Sequence, residues 1–169
     1  IWKADMAEQG TFWLSDTPKK PGSMTWGNRV TRICSWVRLI GKEGESLYVY
    51  NTHWDHQSQP SREKAAELIL KRVSERKYSG APVILMGDFN ATTANPAIKT
   101  LIKSGALVDH GGERQKQTFN FWKPGLNEGL RIDHIFTSPL IKKAKIEVPA
   151  ASDPVDSDHN PVILTFDGI

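Results

Sequence analysis

Short apolar runs separated by loops recur along the chain and predict a fold rich in β-strands. They predict strands over residues 11–14, 32–40, 47–53, 83–88, 132–137, 144–148 and 162–166. Several runs, such as 83–86, are apolar without interruption, which is typical of strands that are buried on both faces. The sequence therefore predicts a sheet that is covered on both sides.

Two segments follow helical periodicity instead. The first comes after Pro60, with Ser61 as the predicted N-cap and Glu63 in the first turn. Its apolar stripe consists of Ala66, Ile69, Leu70 and Val73. The second segment is predicted to begin with Asn95 as its cap and to end at Gly105.

Helices between buried strands predict an α/β fold. Pro96 at the first position of the second helix supports that helix, because proline is tolerated there. The predicted architecture is a layered α/β sandwich, because each apolar sheet face must be covered by another layer.

The bulk composition indicates a single soluble domain. The chain has 169 residues, of which 38% are hydrophobic and 24% are charged. No apolar run approaches the roughly 20 residues of a membrane helix. The first residue is Ile1 and no signal peptide is recognisable, so we expect an N-terminal part, with any targeting signal, to lie outside this sequence, and the compartment stays unknown. Cys34 is the only cysteine, which excludes an intrachain disulfide and predicts a packed thiol.

The charge is unevenly distributed. The net charge is only +3, but residues 114–145 hold seven lysines and arginines against two acids, a net +5. This segment is either a solvated basic face or a surface for a polyanion.

Polar residues with chemical potential follow the predicted strands directly. Asp88 and Asn90 come after the apolar run 83–86, and their spacing of two places both side chains on one side of an extended chain. A carboxylate can take a proton from water, and an amide can hold a phosphate oxygen. The alternative is an Asx turn that closes the strand.

His53 ends its strand in the same way. An imidazole can donate to a phosphate oxygen or protonate a leaving oxygen near neutral pH. A strand-end histidine with a structural partner is the alternative. Asp55 and His56 are close in sequence, but adjacent side chains of an extended chain diverge, so this segment is not interpreted as one metal site.

Asp133 lies in an apolar stretch, and a buried carboxylate requires a partner. We predict that His159 is this partner, because the bond would fix the tautomer of the imidazole and support its cationic form. Asp158 directly precedes His159. The alternative is a capping aspartate followed by a surface histidine.

Four motifs, at residues 51–56, 87–90, 131–134 and 157–161, resemble in order and context those of the endonuclease/exonuclease/phosphatase superfamily. Residues 10–18 and 61–66 resemble its bacterial branch near the CCR4/nocturnin type. The resemblance implies a DNase I-like sandwich of two packed mixed β-sheets flanked by helices, and a phosphoesterase that uses an activated water and Mg²⁺ (or Mn²⁺).

The resemblance also implies a role for each matching catalytic residue. Asp88 would orient or deprotonate the attacking water, and Asn90 would position the phosphate. His159, oriented by Asp133, would stabilise the developing charge. His53 would contact the same phosphate.

The remaining candidates concern the metal and the substrate. Asp158 would be a metal ligand, directly or through water. Asn51 and one of two arginines, Arg29 or Arg32, are candidates for substrate contact, although an ion pair within the fold is equally compatible with either arginine. Trp122 could stack on a base or belong to the core. The expected partners are nucleic acid, a nucleotide or a sugar phosphate.

One feature departs from the family pattern. Members open with a strand carrying an Asn and a Gln-Glu segment that supplies a metal ligand, and here Glu8 and Gln9 stand in the reverse order. We therefore expect roughly 100 residues of a usual domain to be absent. Such a chain could self-associate through an exposed sheet edge. The alternative function is a non-catalytic fragment with a phosphate-binding face but no competent metal site.

Overall fold

The computed structural model describes residues 3–111, 117–123, 129–149 and 154–168. Its main element is a six-stranded sheet with the strand order β1-β2-β3-β4-β6-β5. All neighbours are antiparallel except β3 and β4. The strands are β1 Ala4–Trp13, β2 Ile33–Gly41, β3 Ser46–His53, β4 Val83–Asp88, β5 Val108–Asp109 and β6 Asp133–Thr137. The predicted strands are thus present, although β1 is much longer than predicted and β5 was not predicted.

Helix α1, Gln59–Ser74, connects the parallel strands β3 and β4, as such a pair requires. The predicted N-cap at Ser61 is wrong: the cap is Ser58, whose side chain accepts a hydrogen bond from the Ser61 amide. The helix therefore starts earlier, with Pro60 in its first turn. Helix α2, Pro96–Lys103, has the predicted cap, Asn95.

A second, two-stranded sheet covers the other side of the main sheet. It consists of β7, Lys145–Glu147, and β8, Ile163–Thr165. The described part of the chain is therefore a mixed α/β sandwich with two sheets and two helices, which confirms the predicted fold class.

The alternation of side chains along β3 and β4 produces two cores, one on each face of the main sheet. Tyr48 and Leu85 point toward the helices, where both are buried. Leu47 and Ile84 point toward the small sheet. Burying each such side chain contributes about 1.5–3 kcal/mol, so the predicted burial of these strands on both faces is the main stabilising feature.

The structure also tests several predictions about buried and exposed surfaces. Cys34 is fully buried, as predicted, and burial raises the pKa of its thiol. Within the described ranges, β1 pairs only with β2 and is an edge strand; self-association through it stays a prediction. Neither described helix combines the length and the apolar character needed to cross a bilayer.

The basic segment is less exposed than its sequence indicated. Arg114, Lys116 and Glu128 lie outside the described residues. Arg131 is only 9% exposed and forms an ion pair with Asp109 in the protein interior. Two of the later lysines pair with nearby acids on the surface. The described part of this segment is therefore not an uncompensated cationic face.

Candidate active site

The register of three neighbouring strands brings the first candidate side chains together. His53 on β3 is paired with Asp88 on β4, and Asp88 is paired with Asp133 on β6. The three side chains therefore stand side by side at one end of the main sheet.

Gly87 makes this register possible. Its φ is +142°, and a Cβ at this position would lie 1.9 Å from the Thr52 carbonyl oxygen. Only a residue without a side chain allows β3 and β4 to approach so closely here. The glycine of the 87–90 motif therefore places Asp88 against His53 instead of contributing chemistry itself.

Asp88 is held by three donors. Oδ1 accepts the Asn90 backbone amide at 2.8 Å, and Oδ2 lies 3.2 Å from His53 Nε2 and 3.3 Å from Asn90 Nδ2. Burial opposes the charge of Asp88, but the hydrogen bonds from His53 and the Asn90 amide outweigh it, so the pKa of Asp88 lies below its ordinary value.

The side-chain amide of Asn90 is bonded within the protein and does not simply face the substrate. Its φ is +47°, the left-handed region that asparagine tolerates better than most residues. Its side-chain nitrogen donates to the Trp54 carbonyl as well as to Asp88. In this structure Asn90 therefore fixes Asp88, and a phosphate contact through its nitrogen would have to replace one of these bonds.

The predicted hydrogen bond between Asp133 and His159 is present. His159 Nδ1 lies 2.8 Å from Asp133 Oδ2, although the residues are 26 positions apart. Burial raises the pKa of Asp133, and the nearby Asp88 charge acts in the same direction, against hydrogen bonds from Thr118 and His159. The bond through Nδ1 leaves the other ring nitrogen of His159 for the open side of the site.

Asp88, Asp133 and His159 form a group that could hold a metal ion. One ligand atom from each lies within 4.8 Å of the others. Two carboxylates suit a hard divalent cation. Asp158 does not belong to this group; its carbonyl accepts the Asn120 amide at 2.7 Å. Glu8 pairs with Arg38 on β2 and is likewise not in the group.

Asn120 organises the loop that carries His159, and the sequence analysis missed it. It is 1% exposed. Its side-chain nitrogen donates to the Ser157 carbonyl and to Asn160 Oδ1, and its oxygen accepts the Trp122 amide. No sequence motif marks Asn120. Its side-chain amide both donates and accepts hydrogen bonds, and it thereby joins its own loop to the loop that carries His159.

The loop at residues 117–123, which contains Asn120, carries an aromatic rim. The ring of Phe119 lies 5.0 Å from the His159 ring and 4.2 Å from the Phe121 ring. Phe121 is 48% exposed and Trp122 is 61% exposed. The alternative that Trp122 belongs to the core is therefore wrong. Both exposed residues have positive φ values, a conformation that the Asn120 hydrogen bond to the Trp122 amide helps to hold.

The other candidates for substrate contact differ in their exposure. Asn51 is exposed two residues before His53 and lies on the same face of β3. Arg29 is exposed in the segment before β2. Arg32, in contrast, lies 3.9 Å from Asp55 in an ion pair and is mostly buried, so it serves the fold.

Asp55 holds together the turn at residues 55–58, which lies directly after His53. Its carboxylate is almost completely buried and accepts the Gln57 and Ser58 amides at 2.9 and 2.6 Å. Burial opposes its charge, but these bonds and the Arg32 charge hold its pKa below the ordinary value of 3.8.

We expect Asp55→Ala to lower the free energy of unfolding at pH 7 by about 2–3 kcal/mol, because two amides and a buried cation lose their partner. A depressed folded-state pKa stabilises the protein above pH 3.8 and loses this effect as the pH falls through the folded value. The difference from wild type in urea unfolding should therefore narrow below pH 3.8. An equal difference at pH 7 and pH 3 would contradict this assignment.

The mixed sheets and the paired aspartate and histidine side chains at the strand ends define a DNase I-like domain. A family model described as the Endonuclease/Exonuclease/phosphatase family matches residues 9–159. The chain belongs to this family, as its motifs predicted. No curated protein matches the chain in sequence.

Solved structures of bacterial proteins agree with this membership. A mannosyl-6-phosphatase from Bacteroides thetaiotaomicron VPI-5482 is 31% identical with a TM-score of 0.83, and the match covers 97% of this chain and 68% of that one. An endonuclease/exonuclease/phosphatase from Bacteroides vulgatus is 29% identical with a TM-score of 0.88, covering 98% and 67%. The chain thus spans about two thirds of the length of these relatives.

The human nocturnin catalytic domain, solved with a bound sulfate anion, has the same fold. It is 17% identical with a TM-score of 0.67, and the match covers 96% of this chain and 60% of that one. Bacterial proteins and nocturnin are therefore both among the similar structures, as the motifs at residues 10–18 and 61–66 predicted.

Proposed function

We propose that this chain hydrolyses a phosphoester by in-line attack of a water molecule, with a divalent metal ion, Mg²⁺ or Mn²⁺. The observation that carries this proposal is the convergence of Asp88, Asp133 and His159 within 4.8 Å. The hydrogen bond of His53 to Asp88 extends the same group to a second imidazole. Family membership supports the reaction class, because the family comprises nucleases and phosphatases.

Asp88 is the proposed acceptor for the attacking water. Each carboxylate oxygen accepts more than one hydrogen bond, so its bonds to Asn90 and His53 leave room for a water molecule. Asn90 keeps the carboxylate in one orientation and takes part in phosphate positioning. The exposed His53 then contacts the phosphate from the same side.

His159 is proposed to stabilise the negative charge that develops on the phosphate. Its bond to Asp133 holds the ring in one orientation. This pair requires no covalent intermediate, because water is the nucleophile. The roles of Asn51, Arg29 and Trp122 in substrate binding, and of Asp158 as a metal ligand through water, belong to the same proposal.

Asp88 and Asp133 would hold the metal ion, because their oxygens match the preference of Mg²⁺ and Mn²⁺, while the free ring nitrogen of His159 is reserved for the phosphate. When bound, the ion would supply Lewis-acid stabilisation of charge on the phosphate and the leaving group. Orientation of the water, contact with the phosphate and stabilisation of its charge are assigned to the side chains named above.

A sugar phosphate is the substrate class that we favour over nucleic acid. The relative with 31% identity is a mannosyl-6-phosphatase. The described part of the basic segment is largely paired, which argues against a long phosphate backbone as the partner. The exposed rings of Phe121 and Trp122 lie on the loop whose Phe119 ring contacts His159, and they suit the apolar face of a sugar ring.

The test is phosphate release from mannose 6-phosphate by the purified chain with Mg²⁺ or Mn²⁺. We expect turnover that EDTA abolishes and that changes little with salt, since counterion release is small for a single phosphate. An oligonucleotide and a simple phosphodiester serve as comparison substrates. If metal-loaded protein hydrolyses none of these phosphoesters, the proposal is wrong.

The non-catalytic alternative rests on the coverage of about two thirds of the bacterial relatives. It predicts that calorimetry detects no Mg²⁺ binding at millimolar concentrations, while a phosphate ligand still binds. Stoichiometric Mg²⁺ binding by the wild-type chain, reduced in Asp133→Asn, would exclude this alternative.

A further inference from the structure

A cavity, which we call the β1 cavity, lies beside the edge strand β1. Its volume is about 440 Å³, within the range of roughly 300–1,000 Å³ that is usual for small-molecule sites. Tyr48 and Tyr50 of β3 line it. Because side chains alternate along a strand, they project to the opposite face of the sheet from Asn51 and His53. The β1 cavity is therefore separate from the candidate active site.

Aromatic side chains form one side of the β1 cavity. The Trp36 ring lies 5.9 Å from the Tyr48 ring and 6.3 Å from the Tyr50 ring, at interplanar angles of 36° and 30°. Gly10 lies directly beneath the indole, since a Cβ there would be 2.7 Å from Trp36 Nε1. Trp36 is only partly buried. The cavity thus offers a planar apolar surface that suits a ring.

Arg76 supplies a fixed cation in the β1 cavity. Its guanidinium donates to the carbonyls of Val73 at 2.6 Å and Ala81 at 2.7 Å, and also to that of Ser79. It lies 6.0 Å from the centre of the Tyr48 ring. In the described ranges no carboxylate forms an ion pair with Arg76, so its charge is held in place without a counter-ion.

Arg72 supplies a second cation one helical turn earlier. Its guanidinium lies 5.3 Å from the Phe12 ring, and it too lacks a carboxylate partner among the described residues. The acids that line the cavity pair with other cations: Glu8 with Arg38 and Lys77, and Glu75 with Lys71. Two arginines therefore face the cavity without neutralisation.

Two polar atoms of the lining residues, the Tyr48 hydroxyl oxygen and Arg76 Nε, are buried without a hydrogen-bond partner in the described part of the chain. Because both atoms are inaccessible to a bound molecule, recognition in the cavity rests on Arg72, the fixed charge of Arg76 and the aromatic wall.

We propose that the β1 cavity binds a small organic anion that carries a planar ring. The anionic group pairs with Arg72 and lies near the fixed charge of Arg76. The ring stacks on Trp36. This inference does not depend on the proposed hydrolysis, because it uses none of the residues of the candidate active site.

The test is isothermal calorimetry of the whole chain with phenylphosphonate, a ring-bearing anion that contains no hydrolysable ester, in the presence of EDTA. We expect binding of one equivalent that is about tenfold tighter than binding of inorganic phosphate, because the ring adds stacking on Trp36. Equal affinity for the two anions would contradict the role of the ring.

Two variants locate the binding. Arg72→Gln should weaken binding of phenylphosphonate about tenfold, the effect of losing one hydrogen bond to a charged group. Trp36→Leu should weaken it about fivefold by removing the stacking surface, while binding of inorganic phosphate should stay unchanged and show that the variant is folded. Lys42→Gln is the control, since it removes one positive charge from an exposed residue that does not line the cavity.

Three results would overturn the proposal. The first is no saturable binding of phenylphosphonate by the wild-type chain. The second is affinity that is unchanged in both Arg72→Gln and Trp36→Leu. The third is loss of binding in His159→Ala, which would assign the anion to the candidate active site.

Discussion

Replacing Asp88 with Asn should lower kcat for phosphoester hydrolysis about a thousandfold or more, within the range for loss of a positioned proton acceptor. The change removes the basic oxygen but keeps the shape of the side chain. The Asn90 backbone amide retains an acceptor in the remaining side-chain oxygen, whereas the new NH₂ group takes the place of Oδ2 opposite His53 Nε2 and Asn90 Nδ2. The expected loss therefore reports chemistry and not a collapsed site.

The stability of this variant provides the control. The charge of Asp88 raises the pKa of Asp133 by repulsion, so its removal relieves one unfavourable interaction. We expect the free energy of unfolding to stay within about 1 kcal/mol of wild type. Asp5→Asn, an equal charge change on the exposed part of β1, should leave both activity and stability unaltered. Full activity of Asp88→Asn would sink the assignment of Asp88 as water acceptor.

Replacing Gly87 with Ala should destabilise the protein by about 4 kcal/mol or more, among the largest effects of a single substitution. The new methyl group would lie 1.9 Å from the Thr52 carbonyl oxygen, and φ at this position is +142°. Neither the backbone of β3 nor that of β4 can move away without breaking the ladder between them. Urea unfolding measures the loss directly.

Gly80→Ala is the matched control, because a Cβ at residue 80 would meet no atom within 4 Å and its φ is not in the positive range. It should alter the free energy of unfolding by less than about 1 kcal/mol. Folded Gly87→Ala with wild-type stability would show that the close approach of β3 and β4 is not required. Folded protein with reduced activity would show that the register matters chiefly for placing Asp88 beside His53.

The reaction class and the substrate depend on different parts of the molecule. The matched family includes both nucleases and phosphatases, and in the proposed mechanism the residues at the strand ends carry the reaction common to both. The choice between a sugar and a polynucleotide depends on surfaces around that centre. In this chain those surfaces are an aromatic rim at Phe121 and Trp122 and a basic segment whose described charges are mostly paired.

The sequence alone predicted the strands and the polar residues that end them. This was possible because an apolar run followed by a short polar motif is a local pattern, and Asp88 and His53 each directly follow or end such a run. The pairing of Asp133 with His159 was also within reach, since a buried carboxylate requires a partner. Family membership followed from the order of the motifs.

Other features were decided only by the tertiary structure. The first helix begins before the predicted Ser61 because the Asp55 turn and the Ser58 cap provide an earlier start. Trp122 is exposed because Asn120, buried between two loops, holds the backbone in a left-handed conformation.

Local patterns determined where strands end and which residue types stand there, because each depends on a few neighbours in sequence. Bonds between distant segments, such as Asn120 with Ser157, and the gap that forms the β1 cavity depend on how layers pack. No local pattern encodes the space between layers. The sequence by itself therefore determined which groups are proposed to react, and the tertiary structure decided their partners and the surfaces around them.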